Sequence, residues 1–167
     1  MNPLLLIPAW QGLVWMGEGI VRRSKYDAAQ AYARQQGKPL LVVGGPQGSP
    51  SRAALGMQGH GFGDVCLDLD PAMCQGAPET TVVVGADVRG IPYPDRHFGA
   101  AFVSHVLEHL PTAADAWRAI EELRRVADAL YVAGPSKQEL WAWVHPEHHL
   151  WVWQDGSGQM HVEERGR

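Results

Sequence analysis

The chain has 167 residues, 46% of them hydrophobic, and carries 14 Lys plus Arg against 18 Asp plus Glu for a net charge of -4. That length suits one domain with a real core, and the composition excludes a disordered or low-complexity chain. The acidic balance argues against general nucleic-acid binding, which needs a basic surface to displace counterions; the obvious basic cluster is Arg22, Arg23 and Lys25.

Residues 3–21 are mostly apolar and are followed by Arg22 and Arg23. The run approaches the roughly 20 residues that cross a bilayer as a helix, although Pro8, Gln11 and Glu18 interrupt it. Two expectations follow for residues 1–23. One is an anchor on or in a membrane, with the basic pair holding the main domain on the cytoplasmic side. The other is a helix packed on the domain or on a protein partner. A signal peptide is excluded because no basic residue precedes the apolar run.

Residues 24–167 read as one domain. Ser24 can cap a helix through about Gln36, or this helix continues the first. Gly37 suits its C-terminal stop, with Pro39 beyond. The short apolar run at 40–43 reads as a buried parallel strand, and those at 64–67, 81–84, 100–103 and 130–133 read as further strands of the sheet. The Gly44-Gly45-Pro46-Gln47-Gly48-Ser49 stretch is a loop, and Ser49 or Ser51 can start a short helix. Thr112 with Asp115 forms a capping pair, after which Trp117, Ile120, Leu123 and Ala127 recur at helical spacing. A helix is expected over 136–144. Strand-like runs at 149–153 and 159–163 flank Asp155-Gly156-Ser157-Gly158, a hairpin signal. The expected fold is α/β: a Rossmann-like three-layer sandwich, mostly parallel, with a C-terminal antiparallel hairpin added at one edge. Ligands of such sheets bind beyond the strands' C-terminal ends, around Gly44 to Gly48, Asp68, Asp87, Ser104 and His105.

Cys66 and Cys74 are the two cysteines. Cys66 falls in a strand, where a thiol acts as a small hydrophobe. No disulfide framework is evident, so a reducing, cytoplasmic setting is expected. Six of the seven tryptophans sit at the two ends: Trp10 and Trp15, then Trp141, Trp143, Trp151 and Trp153. Such clusters favour boundaries between apolar and wet regions, including membrane surfaces and protein partners.

The run Ile91-Pro92-Tyr93-Pro94-Asp95-Arg96-His97-Phe98, then Val103-Ser104-His105-Val106-Leu107-Glu108-His109-Leu110, then Glu122-Leu123-Arg124-Arg125-Val126 and Gly134-Pro135, resembles class I S-adenosylmethionine (SAM)-dependent methyltransferases that act on small molecules. The resemblance implies a Rossmann-like fold, SAM as cofactor, and methyl transfer to a small-molecule or lipid-like acceptor. Residue by residue, it implies that Gly44, Gly45 and Gly48 approach the methionine part of SAM and that Asp68 accepts the ribose hydroxyls. It puts Asp87 against the adenine amino group, Val88 beside the ring, and Ser104 near the reacting methyl. His105 and His109 are the candidate catalytic bases. The chain departs from the family pattern in three places: Val42-Val43-Gly44-Gly45-Pro46 lacks the usual acid and glycine spacing, Gly99 stands where an Asp is usual, and the segment between Asp70 and Thr81 is short for a full crossover helix. A second reading therefore stands beside the first, a non-catalytic methyltransferase-like domain serving as a structural or interaction subunit.

Two polar clusters carry rival readings. His105-Val106-Leu107-Glu108-His109 matches H-x-x-E-H, in which a helix would hold zinc by both histidines while the Glu activates water. No metal is expected there, because the surrounding residues fit the methyltransferase segment. His145, Glu147, His148 and His149 form either a metal cluster, a loop packed on tryptophans or a lid over the crevice.

Overall fold

The computed structural model describes residues 6–46 and 60–166. Gly48 and the helix start expected at Ser49 or Ser51 lie outside them. In chain order the elements are α1 (Leu6–Gln35), β1 (Leu40–Val43), β2 (Val65–Asp68), β3 (Val82–Gly85) and β4 (Phe98–Ser104). Then come α2 (Ala113–Val126), β5 (Ala127–Ala133), α3 (Leu140–Val144), β6 (Leu150–Gln154) and β7 (Met160–Glu164). Single 3-10 turns cover Pro71–Cys74 and Leu107–His109.

The apolar runs become five parallel strands in the order β3-β2-β1-β4-β5. β1 lies between β2 and β4, with Val42 opposite Cys66 on one side and Phe102 on the other. A strand buried on both faces needs no polar alternation, and β1 and β4 are buried throughout.

α1 covers one face, where Tyr26, Ala29 and Ala33 pack on Leu40, Val42, Ala100 and Phe102. α2 covers the other with Ala116, Ala119, Ile120, Leu123 and Val126. Thr112 starts α2 as expected: its Oγ1 accepts the Asp115 N–H at 3.1 Å and donates to the Asp115 carboxylate at 2.7 Å. The three expected layers are therefore helix, sheet, helix. β6 and β7 form their own antiparallel sheet instead of extending the five strands. The Gln154 amide meets the edge of β5, donating to Leu130 O and accepting from the Val132 N–H.

α1 runs unbroken through Ser24, so that serine caps nothing. The helix stops at Gly37, whose φ of 63° is a left-handed conformation that costs glycine little. Gln11 and Glu18, which break the apolar run in sequence, together with the Trp15 indole, tie the N-terminal half of α1 to the 136–140 segment. Gln11 bonds Gln138 O and the Leu140 N–H, the Trp15 indole donates to Glu139, and Glu18 accepts the Ser136 N–H. No described helix is long and apolar enough to cross a membrane. The membrane-spanning expectation is thereby corrected: polar residues that would be costly in lipid are the ones that dock the helix on its own chain.

The cysteine reading is also corrected. Cys66 on β2 and Cys74 at the end of the Pro71–Cys74 turn are joined as a disulfide, their Cα atoms 6.3 Å apart. Eight residues suffice for the chain to leave the strand, turn and return, which the strand assignment alone did not reveal. The expected reducing setting loses the observation it rested on.

His60 lies between the rings of Phe102 and Tyr26, at 4.9 and 5.9 Å. Desolvation pushes its imidazole down to about 4. An unfolded histidine titrates near 6.5, so stability is complete above that pH and is lost as pH falls toward 4, by on the order of 3 kcal/mol. Urea unfolding of wild type and His60→Phe at pH 7, 5 and 4 checks this. The difference between the two proteins should shift by that amount across the range, and parallel curves would contradict it.

Candidate active site

β1 and β4 are neighbours whose chains depart in opposite directions, β1 toward β2 and β4 toward β5. Such a switch point opens a crevice at the strands' C-terminal ends. Here it measures about 640 Å³, within the range of small-molecule and cofactor sites, and Asp68, Asp87, Val88, His105 and His109 all line it. Gly44, Gly45 and Ser104 are not among its lining residues; Gly44 and Gly45 follow Val43 and Ser104 precedes His105, which are, at the ends of β1 and β4.

Close approach explains the two glycines. Gly44 has φ 88°, and a Cβ there would lie 2.5 Å from Ser104 O and 2.7 Å from Val106. A Cβ on Gly45 would lie 1.8 Å from Met73 O. The Pro71–Cys74 turn thus sits directly over the loop. It is held by Asp70, which accepts the Ala72 N–H, and by the disulfide back to β2.

Asp68 ends β2, and its Oδ1 accepts the Asp70 N–H at 3.0 Å. Asp87, just beyond β3, is engaged from within the chain. It accepts the Arg89 N–H at 2.8 Å and the Arg89 guanidinium at 2.6 to 3.2 Å. Arg89 reaches on to Asp115 at 2.8 Å, linking the crevice wall to the first turn of α2. These bonds, chiefly those from Arg89, hold the Asp87 carboxyl below its ordinary value. Arg89 lines the crevice and was missed in the sequence, although its place two residues after Asp87 was the available signal.

His105 follows β4 with φ 53°, a conformation few non-glycine residues adopt. Its N–H donates to Ala133 O, and its Nδ1 lies 3.1 Å from Glu108 Oε1. Glu108 is buried, and burial alone would raise its pKa. The hydrogen bond and charge of His105 outweigh that and hold the carboxyl below its usual value.

The H-x-x-E-H helix is not formed. The segment is a three-residue turn, and Glu108 partners His105 instead of lying between two zinc-bound histidines. Instead Glu108, His109 and His148 come together, with one ligand atom of each within 4.8 Å of the others. Burial pushes the His148 imidazole down to about 4. Of the remaining residues in the second cluster, Glu147 and His149 line the crevice.

His105 also lines a second cavity, about 430 Å³, between α1 and the segment after β5. Its walls include Trp10, Leu13 and Trp153 on the apolar side and Glu18, Arg22 and Lys25 on the charged side. His105 therefore stands where the two cavities meet.

The family model described as a methyltransferase domain matches residues 41–129, more than half of the chain. The chain belongs to that family. Solved structures to which it is similar include the Burkholderia thailandensis 1,6-didemethyltoxoflavin-N1-methyltransferase, with bound 1,6-didemethyltoxoflavin and S-adenosylhomocysteine. That protein is 13% identical, with 86% of this chain and 62% of the other covered at a TM-score of 0.40. An S-adenosylmethionine-dependent methyltransferase from Mesorhizobium loti is 17% identical, with 75% and 57% covered and a TM-score of 0.39. The PH0226 protein of Pyrococcus horikoshii is 16% identical, with 78% and 66% covered and a TM-score of 0.44. The chain spans less than two thirds of each. All three scores lie below 0.5, so the assignment rests on the family match and on this chain's own sheet. No curated protein matches the sequence. The strand order β3-β2-β1-β4-β5 and a crevice at its switch point are those of a Rossmann-like sheet.

Proposed function

We propose that this chain is a SAM-dependent methyltransferase acting on a small-molecule acceptor. The observation that carries the reading is the convergence of Asp68, Asp87, Val88, His105 and His109 on one crevice within a methyltransferase-domain chain. SAM would lie across the ends of β1 to β3, with Asp68 on the ribose and Val88 beside the adenine. The backbone of Gly44 and Gly45 would face the methionine part. The cavity beyond His105, apolar on one side and charged on the other, suits the acceptor.

Bound SAM supplies an activated methyl on a sulfonium, so the protein's main task is to align the acceptor with it. His105, fixed by Glu108, stands where it can accept a proton from an acceptor that must lose one. The backbone strain at His105 fits a side chain whose position is imposed by its surroundings.

A second reading is a non-catalytic interaction subunit. It is favoured by the Arg89 grip on Asp87 and by Met73 seated over Gly45. The exposed apolar residues of α1 and α3, among them Leu13, Ile20, Leu140 and Trp141, would then meet a protein partner.

Calorimetric titration with SAM and with S-adenosylhomocysteine tests the first reading. Saturable binding is expected, weakened about 10- to 100-fold in Asp68→Ala through lost hydrogen bonds to a charged acceptor. No binding at millimolar ligand by a folded protein would leave the interaction-subunit reading in its place.

A further inference from the structure

Glu108 and His109 lie in the turn after β4, and His148 lies some forty residues later in the loop before β6. The fold brings the three together with ligand atoms within 4.8 Å of one another. Each has a feature that ordinary packing does not require. His109 Nδ1 is 3.1 Å from Glu147 O. With Nδ1–H donating to that carbonyl, the lone pair falls on Nε2, which is how a backbone oxygen orients a metal-bound imidazole. His148 Nδ1 is buried without a hydrogen-bond partner, a cost that buried polar atoms rarely bear. Glu108 is a carboxylate only 2% exposed, placed beside two imidazoles. His145 stacks on His148 with ring centroids 4.4 Å apart and lies 5.9 Å from His109, so a further imidazole stands at the rim.

We propose that Glu108, His109 and His148 form a binding site for a divalent first-row transition metal of the zinc type, with His145 at its edge. Two imidazoles and a carboxylate make a donor set that suits Zn²⁺ and leaves a coordination position open. The ion would pin the 145–149 loop to the end of β4. Glu147 and His149 of that loop line the crevice, and Glu108 holds His105, so occupancy would stiffen both the crevice wall and the histidine. The site does not depend on the SAM reading, because its ligands are complete without a cofactor.

The test uses the full chain, stripped with a chelator, without SAM or an acceptor. Zn²⁺ is titrated against a chromophoric chelator, and Co²⁺ is added separately as a spectroscopic probe. The expected result is one equivalent bound and a higher melting temperature with Zn²⁺. Co²⁺ should give the intense visible absorption of a four- or five-coordinate ion. His148→Ala and His109→Gln should each weaken Zn²⁺ by more than the roughly 100-fold typical of losing an outer-shell partner. The control His97→Ala, an exposed histidine outside the cluster, should bind as wild type. If His148→Ala fails to fold, His148→Gln replaces it. Failure of wild type to compete with the chelator would overturn the site. So would binding that persists unchanged in both cluster variants.

Discussion

Replacing Gly45 with alanine is expected to cost this protein roughly 2–5 kcal/mol, as is replacing Gly44. The two losses arise differently. At Gly44 the φ of 88° is itself unfavourable for an L side chain, and the new methyl would press on Ser104 O and Val106. At Gly45 the obstacle is the Met73 carbonyl, 1.8 Å from the added Cβ. Backbone must move to make room, and the Pro71–Cys74 turn resists because Asp70 and the disulfide fix its two ends. Typical domains hold only about 5–15 kcal/mol in total, so either change should lower the melting temperature by many degrees. Gly90→Ala is the comparison, since nothing lies within 4 Å of its Cβ position. It should stay within about 0.5 kcal/mol of wild type. If Gly45→Ala melts with Gly90→Ala, the turn does not sit over the loop in solution.

How legible this was from sequence depended on whether a feature is local. The five strands could be read because short apolar runs bounded by Gly, Pro and Asp have few alternatives, and β1 falls at 40–43 as expected. The α2 start was readable for the same reason, as Thr112 and Asp115 bond within one turn. The ends of β4 and β5 were not. Both strands extend further back than their strongly apolar cores: Phe98 pairs with Ala127 across the two strands, and the Gly99 N–H bonds Pro39 O on the other side. The helix expected over 136–144 shortens to Leu140–Val144 because Ser136, Gln138 and Glu139 are drawn into contacts with α1, more than a hundred residues away.

The same distinction separates the site residues. Asp68, Asp87 and His105 follow strand ends, and the topology alone places them together. That His148 meets Glu108 and His109, that Arg89 grips Asp87 and that Cys66 meets Cys74 all depend on how loops return. A sequence without an alignment carries little trace of that. For the N-terminal segment the sequence left an anchor and a packed helix both open. Its hydropathy allowed either, and Gln11, Glu18 and the Trp15 indole decided the matter by bonding to the chain itself.

Glu108 is the residue on which the wall between the two cavities turns, and Glu108→Ala is expected to destabilise the metal-free protein by about 2–4 kcal/mol. Its side chain is buried, so truncation leaves a hole, and it removes the acceptor that His105 Nδ1 faces at 3.1 Å. The main-chain bond from the His149 N–H to Glu108 O, 2.8 Å long, does not need the side chain and should survive. The damage should therefore centre on His105 rather than unravel β6. Glu108→Gln separates packing from charge: it keeps the volume and an amide oxygen that can accept from His105. It should lose less than half as much as the alanine variant, measured by urea unfolding in the presence of a chelator. The His105 ring resonances report on positioning. They should shift and broaden in Glu108→Ala as the ring gains freedom, and stay close to wild type in Glu108→Gln. Equal losses in the two variants, with His105 undisturbed in both, would mean that Glu108 fills space without fixing the histidine. His105 would then have to owe its strained backbone to the Ala133 bond alone.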